Sequence, residues 1–193
     1  MRSITGLLAA IALFFMFSIV PLHAGNIVTN PGFETGDLTG WLFTPAGSGS
    51  LLIVGTEDGT HSGNYEADFG GVTSGSYDTI SQVLATIPGQ TYTFSFWLAS
   101  DDGDDNGQQA LWDGSLVLNL VNFGQSYTLY SFTETATSSS TSIAFAGYNP
   151  PAWNGLDDVS VDASTATPEP ATMILLGVGG VVFGALRRRR PVR

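Results

Sequence analysis

Apolar and polar residues alternate with a period of two along most of the middle of the chain. The clearest run is Gln90 to Ser100. There Tyr92, Phe94, Phe96 and Leu98 share one face, and Thr93, Ser95, Trp97 and Ala99 share the other, the pattern of a half-buried strand. Shorter strands are predicted over Leu51–Val54, Gly63–Phe69, Ile80–Ile87, Leu111–Trp112, Leu116–Val121, Tyr127–Thr133, Thr141–Ala146 and Asp157–Val161. Turn residues separate them: Pro88-Gly89 is a turn dipeptide, and Asp113-Gly114 between two apolar runs is a hairpin signal. Asn26-Ile27-Val28 is a short apolar entry, Asn30 to Trp41 is rich in turn residues, and Asp101 to Gln109 reads as a polar loop. No helical period appears before the C-terminal tail. Many short strands at close spacing, with Gly and Ser between them, predict an all-β fold, an antiparallel β-sandwich over residues 25–162.

The two ends of the chain depart from this pattern. Arg2 precedes an almost wholly apolar run from Ile4 to Val20, and Pro21-Leu22-His23-Ala24 ends in a small residue. This is the layout of a secretory signal peptide over residues 1–24, cleaved after Ala24. A permanent anchor fits less well, because a helix-breaking proline and a small residue stand where cleavage would occur. Residues 163–167 form a small polar linker. The tail over 168–193 then has three pieces: Pro168-Glu169-Pro170, which resists helix formation; Ala171 to Leu186, uncharged throughout; and the cluster Arg187, Arg188, Arg189 and Arg190. A helix as long as the middle piece reaches about 24 Å, slightly short of a bilayer core, and the arginines would stay on the cytoplasmic side. The tail can be read as a buried C-terminal helix, a plain membrane anchor, or a processed signal. Four arginines are an odd end for a core helix.

Charge sharpens the picture. All six basic residues lie in these two end segments, so Gly25 to Thr167 holds no Lys or Arg, while sixteen of the seventeen acidic residues lie within it. Such a domain repels nucleic-acid phosphate and anionic headgroups and has no guanidinium to clamp a phosphate or carboxylate. It suits divalent cations or neutral ligands such as sugars. Cysteine is absent, so no disulfide supports the fold. The length allows one domain with its own core.

The order Pro168-Glu169-Pro170, apolar segment, arginine cluster at the C-terminus resembles the PEP-CTERM sorting signal of Gram-negative bacteria. That resemblance implies recognition and processing by a membrane protease of the exosortase type, membrane anchoring through the C-terminal helix until then, and a place at the cell surface or in the exopolysaccharide matrix of a biofilm. Within the domain, three blocks resemble a carbohydrate-binding-module domain. They are Asn-Pro-Gly-Phe-Glu-x-Gly-x-Leu-x-Gly-Trp from Asn30 to Trp41, the run from Ile80 through Pro88-Gly89 to Phe96, and Leu156 to Val161. The fold this implies is the galactose-binding-like jelly roll, which also serves as a structural module with no sugar site.

Candidate sites follow from these blocks. In the fold so implied, a structural calcium ion joins the N-terminal segment to the last strand, and Glu34 and Asp158 match its ligands. Otherwise Glu34 faces solvent and Asp158 makes turn hydrogen bonds. Asp102, Asp104, Asn106 and Asp113 stand at calcium-loop positions, but strand-like flanks favour a solvated loop. Sugar modules stack aromatic rings on pyranosides. Trp97 sits on the polar face of its strand, and Tyr148 and Trp153 lie in a loop from Gly147 to Gly155, so these three are the candidate ligand platform, with core packing as the alternative. Trp41 reads as core. His61 is the one imidazole left after signal cleavage, and no nucleophile elbow is present. The sequence thus predicts an exported, non-catalytic sandwich sorted to the surface or matrix. Its rival is a carbohydrate-binding module gripping extracellular polysaccharide.

Overall fold

The computed structural model describes residues 25–57, 59–71, 74–101 and 105–164. The signal peptide over 1–24, linker residues 165–167, the sorting tail over 168–193, and Asp102 and Asp104 lie outside the described residues. Ten strands form: β1 (Leu42–Thr44), β2 (Leu52–Gly55), β3 (Glu66–Phe69), β4 (Asp78–Ala85), β5 (Thr91–Ser100), β6 (Gly107–Trp112), β7 (Ser115–Val121), β8 (Gln125–Thr135), β9 (Ser140–Tyr148) and β10 (Asn154–Ala163). They build two antiparallel five-stranded sheets, β1-β4-β9-β6-β7 and β2-β3-β10-β5-β8. The expected all-β jelly-roll sandwich is the observed architecture.

The alternation of β5 sets the core. Tyr92, Phe94, Phe96 and Leu98 are buried between the sheets. They meet Ile80 and Leu84 of β4, Ile143 and Phe145 of β9, and Leu156, Val159 and Val161 of β10. Phe96 packs edge-on against Phe145 with ring centroids 4.8 Å apart. The opening motif closes one side of this core: Phe33 stacks on Trp41 at 5.6 Å, and the Trp41 indole N–H donates to the Asn30 carbonyl at 3.2 Å. Asp113 and Gly114 both take positive φ, 49° and 79°, the turn that matches the twist of a two-residue hairpin.

Most strands start or end a few residues from the sequence reading, β8 and β10 running longer at both ends, and four of the differences have a local reason. β3 begins at Glu66 rather than Gly63, because Gly63 takes φ 64° and the N–H groups of Asn64 and Tyr65 donate to Glu34 instead of to a ladder. β4 ends at Ala85, as the Thr86 N–H leaves the ladder for Ser139. β6 reaches back to Gly107 into the segment expected as loop; Gln108 is fully buried between the sheets, so its polarity misled. Gly147 and Tyr148 complete β9 rather than opening a loop. β1, three residues long, was too short to show a period.

The last strand carries an irregularity that matters for the site. The register of β10 against β5 shifts between Asp157 and Ser160, and Asp158 takes φ 48°. At this bulge the Val159 N–H turns to the Pro31 carbonyl at 2.9 Å. The Asn26 amide completes the join, donating to the Val159 carbonyl at 2.8 Å and accepting from the Val161 N–H at 2.9 Å. The opening motif is thereby tied to the final strand.

Candidate functional site

The outer face of the β1-β4-β9-β6-β7 sheet is a trough. Along the central strand β9, Ile143 and Phe145 point into the core, so Ser142, Ala144 and Ala146 form the outward row. The register places Ser81 of β4 and Leu111 of β6 on either side of Ala144, and Thr79 and Gln109 on either side of Ala146. The central row is therefore small, with small hydroxyl side chains on its β4 side and the larger Leu111 and Gln109 on its β6 side. Larger ones stand on both flanks: Leu42 and Val83 beside β4, and Leu116 on β7, all exposed. Gln109 donates to Asn119 across the β6–β7 pair at 3.1 Å, which holds both amides at the surface. Ser142 to Tyr148 covers about 20 Å at the usual strand rise of ~3.3 Å per residue.

Two tyrosines close one end. Tyr77 and Tyr148 meet edge-to-face with centroids 4.9 Å apart. They do so over Gly107, where an added Cβ would stand 2.5 Å from the Tyr77 hydroxyl and 2.7 Å from the Tyr148 ring. Gly107 is thus required for the pair to close. Burial, reinforced by Tyr148, raises the Tyr77 phenol above its ordinary value, so the hydroxyl stays a neutral donor and acceptor.

The outer face of the other sheet is covered around Trp97 and Asp157, while Leu129 of β8, paired with Trp97, stays exposed. The register sets Asp157 beside Trp97, and the segment joining β2 to β3 folds across them. His61 stacks flat on the Trp97 indole, 3.8 Å between centroids and 15° between planes. Its edge meets Tyr127, and its Nδ1 lies 2.7 Å from Asp158 Oδ2. The Ser62 N–H donates to Asp157 at 3.0 Å and its hydroxyl to Asp158 at 3.0 Å. Asp157 is fully buried, and burial pushes its carboxyl up to about 6. Glu34, held by the N–H groups of Asn64 and Tyr65, falls below the usual carboxylate value.

These placements sort the predicted residues. Glu34 and Asp158 do come together: an added Cβ on Gly32 would meet Asp157 Oδ1 and Asp158 Oδ1 at 3.3 Å each and the Glu34 Cγ at 3.8 Å. Asp157 and His61 join them, with His61, Asp157 and Asp158 offering donor atoms within 4.8 Å of one another. Of the loop set, Asp102 and Asp104 lie outside the described residues, and Asn106 and Asp113 stand apart. The whole of β6 separates Asn106 from Asp113, and the Asn106 amide is spent on the Phe123 backbone at 2.7 and 3.0 Å and on Ser100. The three candidate aromatics do not form one platform. Trp97 has a face covered by His61, Trp153 lies against Gly70, and only Tyr148 borders the trough. Sequence reasoning missed Tyr77, Gln109 and Asn119; the signal available was the row of small residues alternating with Ile143 and Phe145.

Family comparison identifies the domain. Residues 25–146 match the carbohydrate binding domain family, and the chain belongs to it. Residues 166–190 match the PEP-CTERM protein-sorting motif. Over 92 residues the chain is 33% identical to endo-1,4-beta-xylanase A of Thermoanaerobacterium saccharolyticum, covering 46% of this chain but only 7% of the xylanase. Among solved structures it resembles TmCBM61 in complex with beta-1,4-galactotriose, with a TM-score of 0.57 and 18% identity over 72% of this chain and 99% of that one. It also resembles the CBM22-1 xylan-binding domain of Xyn10C from Paenibacillus barcinonensis, with a TM-score of 0.53 and 16% identity over 75% and 98%. At these identities the likeness is one of fold. The protein is an exported chain with a carbohydrate-binding domain and a C-terminal sorting motif.

Proposed function

We propose that the domain binds an extracellular polysaccharide along the trough of the β1-β4-β9-β6-β7 sheet, with Tyr77 and Tyr148 as its aromatic end. The observation that carries this is the outward row Ser142, Ala144 and Ala146, flanked by taller side chains on both sides. A row of small residues leaves room for a chain of sugar rings, and the paired amides of Gln109 and Asn119 offer donors and acceptors to hydroxyls. The xylanase relative is matched over too little of its length for its activity to be carried across, and the binding domain does no chemistry itself. Titration with xylohexaose and β-1,4-galactotriose tests the reading. Binding of either that Tyr77→Ala weakens and Trp97→Ala leaves unchanged supports the trough; binding lost only with Trp97→Ala overturns it.

The match to the sorting motif supports export, and we read the site of action as outside the inner membrane of a Gram-negative bacterium. An exosortase-type protease reads Pro168, Glu169 and Pro170, and the apolar segment with Arg187, Arg188, Arg189 and Arg190 anchors the protein until it is processed. The intact mass of the surface-recovered protein checks this. Loss of the arginine cluster is expected, and its retention would leave a plain anchor.

A calcium ion fits the clasp of Glu34, Asp157 and Asp158. The carboxylate oxygens of Asp157 and Asp158 converge near Gly32 at the junction of first segment and last strand, with the Glu34 stem beside them and its carboxylate held by the N–H groups of Asn64 and Tyr65, and no cationic side chain other than His61 neutralises them. Such an ion would tie the opening motif to the β10 bulge. It has a structural role and takes no part in sugar binding.

A further inference from the structure

The tyrosine end of the trough decides which part of a polysaccharide can enter, an inference that rests on the trough reading above. Tyr148 is the next outward residue of β9 after Ala146. The β4–β9 register begins with Asp78 opposite Gly147, so Tyr77 starts on the β4 side of Tyr148. Gly107 opens β6 on the other side, opposite Tyr148. Yet a Cβ at Gly107 would stand 2.5 Å from the Tyr77 hydroxyl. Tyr77 therefore reaches from the β4 side across β9 to β6, a width of about 10 Å for two strand spacings. The two rings are perpendicular, at 90°, so they cannot both lie flat on the sheet, and at least one stands up from it. Beyond them the Ser74 hydroxyl donates to Asp105 at 2.6 Å. That bond ties the segment carrying Tyr77 to the segment carrying Gly107. The pair is a wall across the trough.

The opposite end carries no such bar. The outward row runs on from Ser142 to Ser140, which pairs with Ala85 of β4, and both Ser140 and Ala85 are exposed. The rings nearest that end, Tyr92 and Trp112, are buried in the core. The trough is thus open at one end and blind at the other.

A polysaccharide is a stiff run of rings, and an internal stretch of it has to leave a groove in both directions. Along the β9 row it can leave only one way. A terminal residue has no such need. It also keeps the hydroxyl that an internal residue spends on its glycosidic bond, and so presents a hydrogen-bonding group to the tyrosine end. We propose that the trough receives the terminus of a polysaccharide, seated against Tyr77 and Tyr148, and excludes internal stretches of the chain.

The test measures how much of the exported chain a fixed mass of polymer holds at saturation. The probes are linear xylan and linear β-1,4-galactan, each intact and after random cleavage that cuts every chain once on average. Cleavage doubles the ends, and the protein held by the bound polymer should double with it. Two variants open the wall. Tyr77→Ala removes the spanning ring, and Gly107→Ala keeps both rings but sets a methyl group where they meet. In each, uncut polymer should hold more protein at saturation than it does for the wild type, even where each site is weaker, and cleavage should cease to matter. Equal binding to cut and uncut polymer by the wild type, with Tyr77→Ala weakening both, overturns the end-on seat and leaves the trough standing. Dependence on ends that persists in both variants also overturns it, since the wall would not be its cause. Absence of binding to either polymer, cut or uncut, overturns the trough as well.

Discussion

The two outer faces of the sandwich arise from the same alternation of inward and outward residues, yet one is open and the other covered around Trp97 and Asp157. On the β1-β4-β9-β6-β7 sheet the outward row of the central strand is Ser142, Ala144 and Ala146, and no connection crosses it among the described residues. On the β2-β3-β10-β5-β8 sheet the outward positions include Trp97 and Asp157, and the β2–β3 connection is drawn down onto them by His61 and Ser62. The difference lies in what the outward side chains can hold. Small residues hold nothing and leave a channel; a large ring and a buried carboxylate recruit a covering loop. The proposed ligand face is the uncovered row, and the covered patch around Trp97 ties the β2–β3 segment to the last strand.

Four experiments sharpen that contrast. The largest effect is expected from calcium at the covered face. An ion bound only by the folded state at a hundredfold excess over its Kd stabilises by about 2.7 kcal/mol, which is on the order of 5–10 °C in a domain of this size. Melting in calcium should exceed melting in sodium chloride of matched ionic strength, Glu34→Gln should abolish the rise, and sugar affinity should not change. An unchanged melting temperature on adding calcium or EDTA would defeat the clasp.

Next comes Asp157. Its carboxyl, raised by burial to about 6, sits above the ordinary value of roughly 4 that it takes in the unfolded chain. The folded state therefore binds its proton more tightly. This contribution is fully present below the unfolded value and is lost as pH climbs through about 6, with a size on the order of 2–3 kcal/mol. In EDTA, stability measured from pH 4 to 7 should fall less steeply for Asp157→Asn than for the wild type. Calcium should reduce the wild-type fall, because the ion favours the carboxylate form. Identical slopes would show that Asp157 does not titrate in this window.

Tyr77→Ala acts at the open face. Truncating an aromatic anchor in an interface costs around 2 kcal/mol, about a thirtyfold loss of sugar affinity, with the melting temperature little changed because Tyr77 is only half-buried. The smallest effect belongs to His61→Ala, which uncovers Trp97. A loss of about 1 kcal/mol of stability is expected from the stacking contact, with no change in sugar affinity. If uncovering Trp97 strengthened sugar binding instead, the covered face would have to be counted as a second ligand surface.

The sandwich was legible wherever alternation was long. The run from Tyr92 to Leu98 marked β5 without ambiguity, and Asp113-Gly114 marked the β6–β7 hairpin. Legibility failed where a residue's partner lies far along the chain. Gln108 is polar yet buried, Gly63 to Tyr65 are held off the ladder by Glu34, and β1 exists only because β4 pairs with it. The clasp was half legible: the opening and closing motifs pointed to Glu34 and Asp158, but Asp157 and His61 join them only through the β10 bulge and the folding of the β2–β3 segment. Of the three aromatics singled out in the sequence, the proposed ligand face uses Tyr148 alone. A tryptophan on a polar strand face looked exposed, while the informative signal was a row of small side chains. Small residues are conspicuous only once the taller neighbours supplied by other strands are known.

The account rests on sugar binding at the open face, and the most direct measurement is an NMR titration of the isotope-labelled exported chain with a bound oligosaccharide. Shifts confined to Ser81, Gln109, Ala144, Ala146 and Tyr148, with His61, Trp97 and Tyr127 unmoved, are the result the account predicts. Shifts centred on Trp97 and Tyr127, with the β9 row silent, would contradict it.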